Sequence, residues 1–511
     1  MHKFTSALAL SLFSGLLLLG LNSCTTKQVS TPPNIIVFMI DDMGLMDTSL
    51  PFVMDEAGNP VSYPLNKFYQ TPNMEILASQ GIRFSNFYAH SVCSPSRTSI
   101  LTGQNSARHG VTNWIRSEEN NRTEFGPADW NWKGLDKNST TLPRLLQQHG
   151  YKTIHVGKAH FGPFDSEGED PLNLGFDINI GGSSIGQPGS YLGTESFGHA
   201  GGNKSRAVPG LEKYHGQDIF LTEALTLEAN AAISQAKAEG KPFFLNMSHY
   251  AVHAPFYSDP RFAEKYEKSD YPEKAKAYAT LIEGIDKSLG DIMQHVKELG
   301  LGDNTLILFL GDNGSDAPLT IEDDYSSSSP LKGKKGNHWE GGMRVPFIAA
   351  WISNNAKASN QQKLPITPNT IQQQLGSIID IFPTLCNLAG IPIPKAYVID
   401  GFDLKRQFNA EQNSVRDERF LNHFPHGDHR SNYFSSLVDS DWKIVYHYPV
   451  DSAPRYELFH LKRDPFETKN LADSNPAELK KMMKILAEEM SEKNAHYPSQ
   501  NDQQLELVIP D

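Results

Sequence analysis

From Ile35 to Ile40 the chain reads Ile-Ile-Val-Phe-Met-Ile, with no polar residue in the run. A strand with one wet face alternates apolar and polar side chains. An unbroken apolar run of this length suits a strand covered on both faces, as in a parallel sheet sandwiched by helices. The next segment fits that layout. Thr71 as N-cap, Pro72 at the first helical position and Gly81 past the last turn frame a helix through Met74, Ile76, Leu77 and Ala78.

The same strand-then-helix alternation recurs. A helix is expected over Leu142–Gln148 and a strand over Lys152–Val156. A helix around Leu221–Ala238, the strand Phe243–Met247, a long helix over roughly 274–299 and the strand Thr305–Leu310 come after them. The fold class is therefore α/β: a large, mostly parallel sheet sandwiched by helices. The Gly- and Ser-rich stretch 162–210 has no periodicity and reads as loops inserted over one end of the sheet. Past Asn409 the pattern changes. Residues 433–448 alternate about Asp439-Ser440-Asp441 as a hairpin does, Tyr456–Leu461 is a short strand, and Glu478–Asn494 is an amphipathic helix. A chain of 511 residues exceeds what one core fills, so a main domain at 34–409 and a smaller α+β domain at 410–511 are expected.

Lys3 followed by an apolar run from Ala7 to Leu21 reads as a processing segment covering residues 1–23. Leu21-Asn22-Ser23-Cys24 resembles the bacterial lipobox, which implies export and a lipid on Cys24 that holds the mature chain to a membrane, with 24–33 as a polar tether. Thr25 resembles the outer-membrane sorting pattern. The other two cysteines, Cys93 and Cys386, leave no disulfide framework. Cys386 lies in an apolar stretch and is expected to be inert, whereas Cys93 sits among small and polar residues. A net charge of −13 supplies no field for nucleic acid, so any anion site must be local.

In open α/β sheets ligands bind beyond the carboxyl ends of the strands. The first strand runs into Asp41-Asp42, and the strand ending at Leu310 runs into Gly311-Asp312-Asn313-Gly314. Three carboxylates and an amide at one edge are hard oxygen ligands suited to Ca²⁺ or Mg²⁺. Cys93-Ser94-Pro95-Ser96-Arg97 should open a helix. Residue 93 would then lie at a helix N-terminus, where N–H groups favour anions, and Arg97 would point back one turn later.

Cys93-x-Pro-x-Arg97 resembles the signature of the type I sulfatases, members of the alkaline-phosphatase superfamily. The likeness continues in order through Lys158-Ala159-His160, His253-Ala254-Pro255, the segment from Lys335 to Pro346 with Glu340-Gly341-Gly342, and Tyr456–Ala472. The resemblance implies an alkaline-phosphatase-like fold. It also implies a maturing enzyme, either formylglycine-generating or anaerobic sulfatase-maturing, that oxidises Cys93 to formylglycine, with the hydrate of that aldehyde as the nucleophile. On the same likeness, one Ca²⁺ is held by Asp41, Asp42, Asp312, Asn313 and residue 93. Its implied roles give the sulfuryl oxygens to Arg97, Lys158, His253 and Lys335, with Asp312 as base, His253 as acid with Lys335, and His160 serving the release of sulfate. Lys332 and Lys334 lack the family's spacing to Glu340 and read as solvated.

The finer likeness is to bacterial lipoprotein carbohydrate sulfatases acting at chain ends on 4-O-sulfated galactose or N-acetylgalactosamine, carried by Asp42–Thr48 and Val111–Trp114. In the polar segment 422–430, His423, His426 and Arg430 are expected to touch the sugar. A phosphatase or phosphodiesterase of the same superfamily and a non-catalytic glycan-binding lipoprotein are the alternatives.

Overall fold

The computed structural model describes residues 31–320, 326–429, 432–449 and 454–511. The processing run, Cys24 and Arg430 lie outside the described residues.

The run at Ile35–Ile40 forms β1 (Asn34–Ile40), buried along its whole length. Its side chains divide by parity, as the strand period of two requires. Ile36, Phe38 and Ile40 enter one apolar cluster with Leu225, Ala229, Ile282 and Ile285 from the helices Leu221–Ala238 and Glu273–Glu298. Ile35, Val37 and Met39 enter the other with Ile100, Leu145, Phe382 and Leu385. Those four lie on the helices Cys93–Thr102, Leu142–Gln148 and Ile381–Ala389.

The sheet order is β5 (Ile178–Ile180), β4 (Lys152–Gly157), β6 (Phe243–His249), β1, β7 (Thr305–Gly311), β8 (Phe347–Trp351), β2 (Ile82–Phe84) and β9 (Thr370–Gln372). From β5 to β7 every pairing is parallel. β8 runs antiparallel to both β7 and β2, so the sheet is mixed but mostly parallel. A small parallel pair, β3 (Phe87–Tyr88) with β10 (Gly376–Ser377), flanks it. The stretch 162–210 is not loop throughout, because its Ile178–Ile180 completes the sheet edge as β5. Thr71 precedes the helix Pro72–Gln80 without capping it, since its Oγ1 accepts from the Ser49 backbone instead.

The C-terminal part is an antiparallel sheet of β11 (Arg419–Phe424), β12 (Phe434–Asp439), β13 (Trp442–His447) and β14 (Tyr456–His460). The helix Pro476–Glu492 covers one face through Leu479, Met482, Met483, Leu486 and Met490. Phe420 and Val438 from the opposite face join the central core. Among the described residues no helix is long and apolar enough to cross a membrane.

Candidate active site

β4, β6, β1 and β7 are parallel neighbours, so their carboxyl ends open at one edge. Ile40 lies opposite both His249 and Gly311. The residues that come after each strand are thereby set side by side, Lys158 after β4, Asp41 and Asp42 after β1, and Asp312 and Asn313 after β7. One carboxylate oxygen from each of Asp41, Asp42 and Asp312 lies within 4.8 Å of the others, and all three residues are buried. The turn is built for this convergence. Asp42 has a left-handed backbone, φ 60°, and its N–H donates to Asp312 Oδ1 at 3.0 Å. A non-glycine residue held there marks strain of the sort found at functional sites.

Three buried cations face the carboxylates. Arg97 donates from Nε to Asp312 Oδ2 at 2.8 Å, with Nη2 2.8 Å from the same oxygen and 3.6 Å from Asp41 Oδ1. Its Nη1 is fixed by the Lys158 carbonyl at 2.8 Å and by Ser248 Oγ at 2.7 Å. Lys158 Nζ donates to both Asp41 oxygens at 2.9 and 2.8 Å. Lys335 Nζ lies 2.8 Å from Asp42 Oδ1. Gly157 makes the approach of Lys158 possible. At φ 99° it passes so close to β6 that a Cβ there would meet the Ser248 carbonyl oxygen at 1.9 Å.

These contacts set the protonation states. Burial opposes ionisation of Asp42, yet Lys335, His253 and Lys158 together hold it below the usual carboxylate range. Burial dominates at Asp312 and raises it despite Arg97. Lys335 is held above its ordinary value by Asp42 against the cost of burial.

Cys93 is the first residue of the helix Cys93–Thr102, and Val92 before it offers no side-chain cap. The N–H groups of that first turn therefore stay available to an anion. Cys93 Sγ lies 3.4 Å from His160 Nδ1. His160 Nε2 faces the Ile115 carbonyl at 2.6 Å, so Nε2 carries the proton and Nδ1 presents a lone pair to residue 93. Burial first, then Lys158, keeps this imidazole neutral. Burial also pushes the Cys93 thiol up, against the pull of Lys158 and Lys335. His253 closes the rim. Its Nδ1 donates to the Ala254 carbonyl at 3.0 Å, and its Nε2 lies 3.6 Å from Asp42 Oδ2. Burial, with Lys335 beside it, lowers its pKa to about 4.

The sequence matches the family profile described as sulfatase over residues 33–391. The chain belongs to the sulfatase family. Its activity class is sulfuric ester hydrolysis, within the alkaline-phosphatase-like superfamily. A second profile, the C-terminal region of N-sulphoglucosamine sulphohydrolase, matches residues 335–496. N-acetylgalactosamine-6-sulfatase of Mus musculus is 30% identical over 404 residues, spanning 76% of this sulfatase and 67% of that protein. A sulfatase of Formosa agariphila is 27% identical over 534 residues, covering 91% of this chain and 90% of its own. Among solved structures, Ps i-CgsB superposes with a TM-score of 0.70 at 24% identity, over 91% of this chain and 94% of that one. The same protein in complex with k-i-k-neocarrahexaose gives 0.69 at 23%, over 93% and 95%. At these identities the two structures speak for the fold alone.

Sulfatases typically use formylglycine and a divalent metal, and the donor set fits the latter. Three carboxylates converge, and among the described residues the Oδ1 of buried Asn313 has no hydrogen-bond donor, leaving a hard oxygen beside Asp42, to which the same amide's Nδ2 donates at 2.9 Å.

Of the residues expected in the site, Asp41, Asp42, Cys93, Arg97, Lys158, His160, His253, Asp312, Asn313 and Lys335 fall into this one assembly. His423 and His426 are tied elsewhere. His423 spends both nitrogens inside the fold, on Ser435 Oγ at 2.7 Å and the His496 carbonyl at 2.9 Å. His426 Nε2 lies 2.9 Å from Thr112 Oγ1. Lys334 is not solvated. It is buried and paired with Asp316 at 3.2 Å, and Lys332 lies over the Trp339 ring. Ser248, the Ile115 carbonyl and His429 carry no sequence motif that marks them. His429 stands edge-on to Trp114, and its Nε2 is buried without a hydrogen-bond partner among the described residues. Burial, then nearby Lys335, lowers its pKa, against the opposing pull of Asp428 and Asp42. Gly336 at φ 85° brings the Lys335 turn against it, because a Cβ there would meet the His429 carbonyl oxygen at 2.4 Å. Only its place in a polar, His-rich segment hints at it.

Proposed function

We propose that this sulfatase removes sulfate from chain-end sugars of sulfated glycans, with residue 93 matured to formylglycine and one Ca²⁺ on Asp41, Asp42, Asp312, Asn313 and residue 93. The observation that carries this reading is the pairing of Cys93 with His160. The thiol sits at an uncapped helix N-terminus, held in its unreactive form by burial, opposite a neutral imidazole whose Nδ1 lone pair faces both it and Ser94 Oγ, at 3.4 and 3.3 Å. A thiol so disfavoured from ionising is a poor nucleophile, whereas an aldehyde hydrate at the same position gives His160 Nδ1 a hydroxyl to deprotonate.

When present, formylglycine supplies an oxygen nucleophile and the calcium ion supplies positive charge that favours its deprotonation. The three carboxylates and the three cations Arg97, Lys158 and Lys335 sum to zero, so a dication leaves the site net positive for a sulfate ester and an ionising hydroxyl. Lys158 and Lys335, with His253, are placed to hold the sulfuryl oxygens, and Arg97 braces Asp312 and Asp41. Lys335 is protonated near pH 7 and supplies the proton, and His253 Nε2, which carries none while Nδ1 donates to the Ala254 carbonyl, can relay it from Lys335 to the departing alcohol oxygen. His160 Nδ1 takes the proton whose removal frees sulfate.

The relatives support a glycan substrate, since one is named for N-acetylgalactosamine 6-sulfate and a structural neighbour is complexed with a neocarrahexaose. We assign a galactose-configured sugar, with 4-O-sulfate as the sequence-based expectation and 6-O-sulfate as the position in the relatives' names. Among the residues beyond the sulfate, His429 has an uncommitted buried nitrogen, which favours it over His423 as a sugar contact. His426 and Arg430 stay within the proposal. Export, a lipid on Cys24, a maturing enzyme as partner and the division at 410 rest on the sequence and belong to the same proposal.

The test is mass spectrometry of the peptide bearing residue 93, alongside turnover of a panel of monosulfated galactose and N-acetylgalactosamine sugars. Aldehyde in place of thiol is expected, with activity proportional to the converted fraction and confined to one sulfate position. Full turnover by unmodified Cys93, or activity on aryl sulfates alone, would overturn the reading.

A further inference from the structure

A second convergence of metal-ligating side chains lies outside the catalytic assembly. His447 is on β13 and Glu457 on β14. Val445 pairs with Glu457 in the antiparallel register, so His447, two residues further along the strand, projects on the same face. His338 reaches them from the turn between Lys335 and the short helix Glu340–Met343. One nitrogen of each imidazole and one Glu457 oxygen lie within 4.8 Å of one another, and all three residues are buried.

The details do not suit a simple hydrogen-bonded triad. His447 Nε2 is 2.8 Å from Glu457 Oε1. His338 Nε2 is 3.2 Å from the same oxygen, within ion-pair distance but too poorly aligned for a good hydrogen bond, although the residue is only 6% exposed. His447 Nδ1 is likewise buried without a partner. Buried imidazole nitrogens are normally satisfied, and the orphan that stands beside the carboxylate is His338 Nε2, since His447 meets Glu457 through its other nitrogen. The rings meet at 87° with centroids 4.8 Å apart, which turns edges rather than faces toward each other. Phe434 and Trp339 wall the His338 side.

We propose that His338, His447 and Glu457 bind a first-row transition-metal dication, with zinc the ion their donor types favour. Zinc ligands about 2.0–2.1 Å from the metal at tetrahedral angles stand about 3.3 Å apart; the His338 separation of 3.2 Å is close to that spacing, and the His447 separation of 2.8 Å would open by roughly half an ångström on binding. Two imidazoles and one carboxylate also differ in kind from the all-oxygen set at Asp41, Asp42 and Asp312, so the two sites select different ions. The ion would use the lone pair of His338 Nε2 and tie the turn that delivers Lys335 to Asp42 onto the C-terminal sheet. It acts as a positioning element and touches no substrate.

The experiment uses the mature chain, stripped with chelator, returned to excess Ca²⁺ so that the oxygen site is filled, then loaded with zinc and freed of unbound ion. Metal analysis should find one zinc per chain in the wild type and in Asp312→Asn, and less than one tenth of that in His447→Gln and Glu457→Gln. Zinc should raise the melting temperature of the wild type and leave both glutamine variants unmoved. Absence of retained zinc in the wild type overturns the proposal without recourse to any variant. Equal zinc in the wild type and in either folded glutamine variant, as judged by far-ultraviolet circular dichroism, identifies adventitious binding and overturns it as well. Wild-type turnover by Asp312→Asn with unchanged zinc content would count against the catalytic reading and leave this site standing.

Discussion

Two buried clusters of charge in this sulfatase are built from the same residue types and end in opposite conditions. Under the C-terminal sheet, Lys443 Nζ donates to Glu340 Oε1 at 3.1 Å and to Glu467 Oε1 at 2.7 Å. Glu467 Oε2 accepts the Glu340 N–H at 2.7 Å, and Tyr88 donates to Glu340 Oε2 at 2.9 Å. Every oxygen of the two glutamates thus has a donor. At the strand ends, the cations are likewise paired with carboxylates, but three carboxylates crowd one point and the Asn313 Oδ1 has no donor. A charge network that serves the fold closes on itself, because an unpaired buried group is costly. One that serves chemistry keeps valences open for an ion and an anion that arrive later.

The strongest way to break this contrast is to remove one lysine from each cluster. In matured, calcium-loaded protein, Lys335→Met should lower kcat/KM by roughly 10²–10³-fold while the melting temperature holds or rises. Lys443→Met leaves two glutamates buried without their cation, and should cost about 3–5 kcal/mol of stability with kcat per folded molecule retained. Urea melts and steady-state kinetics on both variants decide it. Unfolding by the first substitution and neutrality of the second would abolish the distinction.

Asp47 sharpens the comparison by showing a third way to bury a carboxyl. Its Oδ2 accepts from the Gly44 N–H at 2.9 Å and the Tyr278 hydroxyl at 2.8 Å, while among the described residues Oδ1 has no hydrogen-bond partner and no cation is paired with the carboxyl. Burial pushes its pKa up to about 7. The folded state therefore holds this proton more tightly than the unfolded chain, whose Asp titrates near 3.9. Its contribution to stability is full below about pH 4 and is lost as pH rises toward 7. Asp47→Asn keeps the shape and cannot ionise. Stability measured from pH 4 to 7 should fall in the wild type, relative to the variant, by an amount on the order of 3 kcal/mol. Parallel curves would show Asp47 ionised in the fold.

The parts of this molecule that are legible in its sequence are those encoded locally. β1 and β7 are readable because burial on both faces leaves an uninterrupted apolar run, β4 and β6 because they alternate with helices along the chain, and the residues after them because parallel strands end together. The hairpin of β12 and β13 is readable from alternation. The direction of β8 is not, since Phe347–Trp351 is as apolar as β1 and nothing local distinguishes antiparallel pairing with β7. The same limit applies inside the site. Cys93, Arg97 and the strand-end carboxylates announce themselves by motif and position. By contrast Ser248, which fixes Arg97, and the Ile115 carbonyl, which fixes the tautomer of His160, act through contacts that exist only once the chain is folded. Lys334 reads as solvated in the sequence for the same reason, because its partner Asp316 is brought to it by the turn's path rather than by any periodic spacing.

His429 gives the smallest and most discriminating test, because it stands where the open cluster meets the C-terminal sheet's loops. Its Nε2 is a buried nitrogen without a partner, its ring rests edge-on against Trp114 at 5.4 Å, and Trp114 Nε1 is anchored by Asp428 Oδ2 at 3.0 Å. Lys335 and Asp42 are among its charged neighbours, and the neutral His253 is also near. A nitrogen left open there, and not paired with any of the three carboxylates, is positioned for the alcohol side of the ester rather than for the sulfate. His429→Phe keeps the ring against Trp114 and deletes only the hydrogen-bonding atoms. Loss of one neutral hydrogen bond to a sugar hydroxyl is worth about 1–1.5 kcal/mol, so KM for the preferred glycan should rise roughly tenfold. A small aryl sulfate, which has no such hydroxyl, should be turned over at the wild-type rate. Equal losses on both substrates would place His429 among the groups that hold the sulfate, and no change on either would return it to the closed, structural kind.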